Sequence, residues 1–515
     1  MVNLNLPNKT LYLTISLFLI LSITGAAIAY TNAIPNPGHG GDTVWITSPD
    51  GEEMTLQTAI DTGLFSSVVS GDGLGGRKVK EIEFTSGSSG GTTCVITIDN
   101  IVRCSGRNDY SQLGIGDVSN RADYMAVGGG TGLSNVKNIS GTRLNFCALL
   151  NDGTVQCWGY NGYGQLGDGT LINRKVPTSV LDEASGSELT GVKSLEQKDN
   201  TYAYEFICAL LNDNTVKCWG YNGYGQLGVG DTTTRKKAAV VTGITNAKEV
   251  KLGGHSSSGF ACALLTDGTV KCWGYNGYGQ LGDGTKTTQN TPVQVSGLTN
   301  VQSIYLASDG YGFACALLTD GTVKCWGYNG YGQLGDGTKT LSSVPVTVQN
   351  IGGTYPKATK LQITGTGSYG SVCALLEGGT VKCWGYNGYG RLGVGDSTAR
   401  TVPTQITNLN NIADLRGTAY SNAGYYCAIN TVGNAFCWGY NGYGQLGDGT
   451  KTTQNTPVQV SGLNNIKSIE MGGQGSAQYT CAITTNDDLY CWGYNGYGGL
   501  GTGDKIGPQL PTKIN

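Results

Sequence analysis

Charged residues are scarce in this chain. Lys, Arg, Asp and Glu together make up 13% of its 515 residues, against about 25% in an average soluble domain. The net charge is −3, and no run of lysines or arginines occurs. A nucleic-acid-binding surface would show a basic stripe. The sequence therefore predicts no nucleic-acid partner.

Histidine is scarce in this chain, and the repeated units share no arrangement of catalytic residues. The only two histidines are His39 and His255, and no Ser-His-Asp or paired-carboxylate arrangement recurs. The repeated "GDG" loops do not carry the several converging oxygen ligands that calcium needs. The glycine-rich loops lack the following helix and Lys-Ser/Thr of a phosphate-binding loop. The sequence predicts a protein that is not an enzyme and that holds no metal or cofactor.

The first 78 residues differ from the remainder. Residues 1–29 contain Lys9, an apolar run over 11–23 and a small-x-small site at 27–29, which fits a signal peptide or an uncleaved membrane anchor. Residues 30–43 form a Pro/Gly linker. Residues 44–78 are predicted to form a small α+β module and linker, with a strand at 44–47, a turn at 48–51 and a helix at about 55–61. Both alternatives place the protein outside the cell or on its surface, touching a membrane only through the anchor.

Glycine is abundant, at 84 residues, because one string is repeated. Residues 272–285 read "CWGYNGYGQLGDGT", and close variants occur seven times. A degraded eighth copy reads "CSGRNDYSQLGIGD". The seven copies begin at Cys157, Cys218, Cys272, Cys325, Cys383, Cys437 and Cys491, and the eighth begins at Cys104. Repetition at 53 to 61 residues predicts units that bury their apolar faces against neighbours.

All sixteen cysteines fall into pairs ten residues apart: Cys94/Cys104, Cys147/Cys157, Cys208/Cys218, Cys262/Cys272, Cys315/Cys325, Cys373/Cys383, Cys427/Cys437 and Cys481/Cys491. In an exported chain this pattern predicts disulfides, and the spacing does not suit zinc. Within each pair the residues alternate around a turn such as Asp267-Gly268. A two-residue turn would place the two cysteines on opposite faces of the hairpin. The sixth residue after the first cysteine is always Gly, Asn or Asp, which tolerate a left-handed backbone. This favours a three-residue loop with the cysteines directly opposite.

Each unit contains four short apolar segments and no helical periodicity. A proline usually marks the fourth segment, which suits the start of an edge strand. A repeat of about 50 residues that contains four short strands is typical of a β-propeller blade. Residues 79–515 are therefore predicted to form an all-β propeller of eight blades, or of seven blades with the degraded first unit detached.

The string "WGYNGYGQLG", preceded by "ALLTDGTVKC" and followed by "P-x-x-V", resembles the repeat of the regulator of chromosome condensation family. The resemblance covers roughly residues 79–515 and implies a propeller, usually of seven blades. Some members of that family exchange nucleotide on a small nuclear GTPase, and others inhibit β-lactamases outside the cell. The cysteine pair in every unit departs from the family pattern and fits export.

Two tyrosines occur in each strong copy of the string. The second tyrosine fits the family's structural pattern, and the tryptophans are expected in the core. A turn does not require the first tyrosine, so we expect it to be partly exposed around one face and to contact a ligand. These candidate binding residues are Tyr160, Tyr221, Tyr275, Tyr328, Tyr386, Tyr440 and Tyr494.

The leading functional hypothesis is an exported, non-enzymatic binding module whose partner is a protein or a glycan. A second hypothesis is a repetitive envelope or adhesion component with multivalent weak contacts. A third, an enzyme acting on polysaccharides, would need one atypical unit with acid–base residues. The insertions at 182–191 and 350–357 are the places to look for it.

Overall fold

A computed structural model describes residues 45–47, 53–55, 73–84, 91–129, 132–197, 204–254, 257–307, 311–365, 368–420, 422–474 and 477–515. The chain divides into two compact units, Met1–Asp72 and Gly73–Asn515. In the first unit, β1 (Trp45–Thr47) pairs antiparallel with β2 (Glu53–Thr55). Thr55, which we expected to begin a helix, ends a strand instead. The predicted turn, the remaining helix residues, segment 1–29 and both histidines lie outside the described residues.

The second unit consists of eight four-stranded antiparallel sheets, each formed by four consecutive strands of the chain. The first strands are β3 (Val79–Phe84), β7 (Val136–Gly141), β11 (Val192–Gln197), β15 (Ala247–Gly253), β19 (Val301–Leu306), β23 (Ala358–Thr364), β27 (Ile412–Tyr420) and β31 (Ile466–Gln474). The second strands are β4 (Thr92–Thr97), β8 (Asn145–Leu150), β12 (Phe206–Leu211), β16 (Phe260–Leu265), β20 (Phe313–Leu318), β24 (Ser371–Leu376), β28 (Ala423–Asn430) and β32 (Ala477–Thr484).

The third strands are β5 (Val102–Gly106), β9 (Val155–Gly159), β13 (Val216–Gly220), β17 (Val270–Gly274), β21 (Val323–Gly327), β25 (Val381–Gly385), β29 (Ala435–Gly439) and β33 (Leu489–Gly493). The fourth strands are β6 (Arg121–Ala126), β10 (Arg174–Ser179), β14 (Arg235–Val240), β18 (Gln289–Gln294), β22 (Ser342–Thr347), β26 (Arg400–Gln405), β30 (Gln454–Gln459) and β34 (Thr512–Lys513). The described residues contain one 3₁₀ turn, Gly388–Gly390, and no α-helix.

The eight sheets form an eight-bladed propeller. Each first strand contacts the first strands of the neighbouring blades, and β31 of the last blade contacts β3 of the first. The first strands therefore surround the centre of the ring, and the fourth strands, which are more exposed, form its rim. Backbone hydrogen bonds close the ring, from Val79 N to Asp487 O at 2.9 Å and from Leu74 N to Asn515 O at 3.0 Å. The first repeat is thus a full blade and is not detached.

Every blade has a disulfide across its central hairpin. In the fourth blade Cys262 lies directly opposite Cys272, and the eight pairs have Cα–Cα distances of 4.0 to 4.1 Å. The hairpin loop has three residues, and Gly268 closes it with φ of +78°. The equivalent residue has positive φ in all eight blades, including Asn100 and Asp487, as the loop prediction requires. Five of the six prolines that we expected at the start of the fourth strand lie inside it, and Pro511 directly precedes β34. An edge strand accepts them because its outer side needs no donor.

The hydrophobic core consists of eight clusters, one between each two neighbouring blades. The cluster between the fourth and fifth blades contains Cys262 and Cys272 of one blade and Trp326 of the next, all with no exposed surface. The indole Nε1 of Trp326 donates to the Gln280 carbonyl across this boundary at 2.9 Å. The same bond occurs at seven of the eight boundaries, with lengths of 2.9 to 3.0 Å. The tryptophans therefore join blades, as expected for core residues.

The closing boundary uses a different side chain. The first blade has Ser105 in place of the tryptophan, and the Ser105 hydroxyl donates to Gly499 O at 3.2 Å. Tyr124, at the position where most blades have proline, is fully buried there. Its ring lies against Gly501, just as Trp492 lies against Gly447 at the preceding boundary. Tyr124 thus fills the space that the missing tryptophan leaves.

Candidate binding face

The repeated string forms the loop between the third and fourth strands of each blade. Because the strands alternate in direction, this loop lies at the same end of the blade as the loop between the first and second strands. One end of the ring therefore presents eight copies of the string.

A buried asparagine holds each copy in shape. The Asn276 amide group donates to Asp283 Oδ1, Thr285 O and Thr287 O at 3.1 to 3.3 Å, and its carbonyl accepts from Leu281 N at 3.0 Å. The eight equivalent asparagines are at most 2% exposed. The Asp of the "GDG" loop is thus a partner of this asparagine. Sequence reasoning missed the asparagine, although even the degraded copy retains it as Asn108.

The tyrosines of neighbouring blades touch one another. The second tyrosine of each copy packs edge-on against the first tyrosine of the next blade, with ring centroids 5.0 to 5.8 Å apart at seven boundaries. At the closing boundary Arg107 lies 5.9 Å from the centroid of Tyr497. We call the fifteen tyrosines of this circuit the tyrosine belt: Tyr110, Tyr160, Tyr163, Tyr221, Tyr224, Tyr275, Tyr278, Tyr328, Tyr331, Tyr386, Tyr389, Tyr440, Tyr443, Tyr494 and Tyr497.

The seven candidate tyrosines are all half-buried and lie around one end of the ring. Burial raises the pKa of several of these phenols, including Tyr160, Tyr221 and Tyr275. Each ring also folds over the glycine two residues later, so that a Cβ on Gly277 would lie 2.3 Å from the Tyr275 hydroxyl oxygen. The first tyrosine therefore also packs within its own loop, and its contact with a ligand stays a prediction. The belt presents rings that are packed on one side and open to solvent on the other.

In three blades a further tyrosine packs against the belt. Tyr204, Tyr311 and Tyr369 each stand four residues before the first cysteine of their blade. Tyr311 lies 4.7 Å from Tyr328 and 4.8 Å from Tyr278, measured between ring centroids. The other two make the same kind of triad. These three tyrosines lie outside the repeated string, and sequence reasoning missed them. The face is therefore not eightfold symmetric.

One triad lies over a buried arginine. Arg391 replaces the glutamine of "YGQLG" and has no exposed surface. Its guanidinium donates to Tyr369 O at 2.9 Å and to Asn422 O, and lies 4.9 Å from the centroid of Tyr386. Burial lowers the pKa of Arg391 to about 10. This side chain ties two neighbouring blades together beneath the belt.

Charged side chains of the first strands face the centre of the ring. Lys251 pairs with Glu196 at 2.6 Å and Arg416 pairs with Glu470 at 3.0 Å, each between neighbouring blades. Glu83 instead accepts one hydrogen bond from Gly141 N at 3.2 Å. Burial raises the pKa of Glu83 to about 8, and nearby carboxylates add to the effect.

The part of the chain that the structure describes has neither a cluster of metal ligands nor a membrane-spanning helix. Within it no three His, Cys, Asp or Glu side chains cluster so as to hold a metal ion. No helix there is long and apolar enough to cross a membrane.

Comparison with family models gives matches along most of the propeller. The model described as the regulator of chromosome condensation (RCC1) repeat matches residues 152–193, 267–317, 320–372, 378–419 and 432–478. A second model of the same repeat matches 136–165, 204–226, 306–333 and 466–498.

Characterised relatives share the repeats at moderate identity. The ultraviolet-B receptor UVR8 of Arabidopsis thaliana is 28% identical over 381 residues, covering 73% of this chain and 81% of UVR8. The human E3 ubiquitin-protein ligase HERC2 is 28% identical over 364 residues, covering 70% of this chain but only 7% of HERC2.

Solved structures share the fold. Human WBSCR16 superposes with a TM-score of 0.50 at 21% identity, covering 70% of this chain and 94% of that one. Prp20p of Saccharomyces cerevisiae, which binds Gsp1p and histones, superposes with a TM-score of 0.52 at 19% identity, covering 75% and 92%.

Proposed function

The chain belongs to the RCC1 repeat family, and from that premise we propose that it is an exported, non-enzymatic propeller that binds a protein partner through its tyrosine belt. The observation that carries the proposal is the belt itself, a circuit of half-buried and exposed rings at one end of the propeller. Tyrosine is enriched at binding surfaces because it offers a large apolar body with a polar tip.

The composition of the face supports a protein as the partner. The string "GYNGYGQ" supplies tyrosine, glycine and asparagine, which are also prominent in antibody binding loops. There tyrosine gives rigid contact area at a small entropy cost, and the small polar residues give adaptable hydrogen bonds. Prp20p, which shares the fold, binds proteins.

The disulfides support export. Eight buried disulfides, one in every blade, form and persist in oxidising compartments and are rare in the cytosol. Segment 1–29 has the features of a signal peptide or anchor. Under this proposal the protein acts outside the cell or on its surface.

The test compares two triple variants of the full chain. Tyr275→Ser, Tyr328→Ser and Tyr386→Ser remove three first tyrosines of the belt. The control carries Val176→Ser, Val240→Ser and Val344→Ser, three side chains of the rim that are 44%, 51% and 40% exposed.

Biotinylated wild type and both variants are incubated with intact cells of the source organism and with an array of neutral and acidic glycans. We expect wild type to bind a protein of the cell surface and to be captured with it by chemical cross-linking. The yield of this cross-linked product should fall tenfold or more for the belt variant and stay unchanged for the rim control. The belt variant loses six aromatic contacts, each adding about 0.5–1.5 kcal/mol beyond area burial. Circular dichroism and thermal melting therefore establish first that it is folded at the assay temperature. Equal binding by both variants would refute the role of the belt, and retention on glycans alone would make the partner a carbohydrate.

A further inference from the structure

Three pairs of tyrosines lie across the open ends of the disulfide-bonded hairpins. In the fifth blade, Tyr311 precedes β20 and Tyr328 follows β21, and these two strands carry the Cys315–Cys325 bond. The same arrangement holds for Tyr204 with Tyr221 and for Tyr369 with Tyr386, with ring centroids 4.8 Å apart in both.

We propose that these pairs, and Tyr311–Tyr328 above all, are sites of oxidative coupling to dityrosine. The co-reactant is hydrogen peroxide used by a haem peroxidase, which takes one electron and one proton from each phenol. This inference concerns covalent modification and stands independently of any binding partner.

The chemistry balances without a further reagent. Each phenol O–H loses a hydrogen atom and becomes a phenoxyl radical. Two radicals join by a carbon–carbon bond between positions ortho to the hydroxyl groups, and the hydrogens on those carbons return as protons to the phenol oxygens. The pair loses two hydrogen atoms in all, and one hydrogen peroxide is reduced to two waters.

Ring geometry singles out Tyr311 and Tyr328. Their centroids are 4.7 Å apart and their planes lie 30° apart, so the two rings are stacked. A stacked pair brings ring carbons of both partners together. The edge-on belt contacts point the edge of one ring at the face of the other, as in Tyr224–Tyr275 with 77° between planes. Coupling there needs one ring to turn first.

Exposure allows the oxidant to reach this pair. Tyr311 is 36% exposed and Tyr328 is half-buried, whereas Tyr425 and Tyr479 of the core are at most 1% exposed.

Two groups held in contact react as though at very high local concentration. Coupling within one molecule therefore outruns coupling between molecules in dilute solution.

The three pairs should react in a definite order. Tyr204 and Tyr221 have 53° between their planes, intermediate between stacked and edge-on. Tyr386 has the Arg391 guanidinium over its ring, and a cation there opposes the loss of an electron. We expect Tyr311–Tyr328 to couple first, Tyr204–Tyr221 second and Tyr369–Tyr386 last.

The experiment treats the full chain at micromolar concentration with horseradish peroxidase and limiting hydrogen peroxide, then reduces the disulfides and digests with trypsin. Peptides 287–324 and 325–339 carry Tyr311 and Tyr328 on separate fragments. We expect them to stay joined after reduction, with a mass two hydrogen atoms below their sum, and to form about tenfold faster than any cross-link between Tyr224 and Tyr275.

Two variants make the result specific. Tyr311→Phe keeps the stacked ring but cannot form a phenoxyl radical, and it should abolish the 287–324/325–339 product while leaving the other two pairs reactive. Tyr311→Ser gives this blade the residue that the fourth blade has at Ser258 and should do the same. The proposal is wrong if no joined peptide forms, if coupling occurs mainly between molecules, or if the edge-on pairs react as fast.

Discussion

Removing one disulfide tests how much the covalent hairpins contribute to the stability of the ring. The perturbation is Cys262→Ala with Cys272→Ala in the fourth blade. The bond closes a loop of two cysteines and nine residues between them, and the chain-entropy relation gives about 2.8 kcal/mol for such a loop. Alanine also removes two buried sulfur atoms, which adds to the loss. We expect the free energy of unfolding to fall by about 3–5 kcal/mol.

The seventh blade supplies a matched control. Residues 437–463 are identical to 272–298, and Cys427–Cys437 closes a loop of the same length. The corresponding alanine pair should cost the same to within about 1 kcal/mol. Urea titrations followed by tryptophan fluorescence measure both losses. A loss below about 1 kcal/mol in either blade would refute the loop-entropy reasoning.

The wild-type protein should also resist reduction while it is folded. All sixteen cysteines have no exposed surface, and thiol–disulfide exchange needs access to a sulfur atom. Native protein in dithiothreitol should keep its eight bonds until urea unfolds it, as thiol alkylation with mass spectrometry would show. Rapid loss of the bonds without denaturant would contradict the buried positions.

Three further substitutions test other parts of the structure. Ser105→Trp should lower the melting temperature because Tyr124 occupies the tryptophan's space, and adding Tyr124→Pro should recover it in differential scanning calorimetry; an additive double mutant would contradict this. Glu83→Gln should remove a pH dependence of the free energy of unfolding. A carboxyl whose pKa is raised in the folded state stabilises the fold fully below about pH 4.5 and loses that contribution as the pH rises to about 8. The variant should therefore match wild type at pH 4 and exceed it by up to about 5 kcal/mol at pH 8.5 in urea titrations; equal stability at both pH values would contradict the burial of this carboxyl. Asn276→Asp should cost about 1–3 kcal/mol, because a carboxylate cannot donate to three oxygens and would face Asp283; a neutral effect in the same assay would show that the loop does not need the amide.

The hairpins could be predicted from the sequence because their cause is local. The residue that closes the loop needs positive φ, and only Gly, Asn and Asp occur there, as at Gly268 and Asn100. The four-strand blade followed from spacing, because the four apolar segments recur in every unit. These features depend on residues that are neighbours in the chain.

The parts that sequence reasoning missed depend on contacts between blades. The first tyrosine looked unexplained because its partner, the second tyrosine of the preceding blade, is 50 to 58 residues away in the chain. Tyr124 was missed because it fills the space that the tryptophan of its own blade would occupy, and it packs there against a glycine of the last blade. Whether the ring had seven or eight blades depended on whether the first repeat could close it without a tryptophan. No local pattern carried that information.

Each blade takes all four of its strands from one continuous stretch of chain. The two ends of the propeller therefore meet by side-to-side packing, as neighbouring blades do elsewhere, and among the described strands none from one end completes a sheet at the other. It follows that the position of the termini is arbitrary with respect to the fold: a circular permutant that opens the chain between two interior blades and joins the present ends should still close its ring. It also follows that duplication of one whole blade leaves every sheet intact, which accounts for how a chain can come to carry identical stretches in its fourth and seventh units.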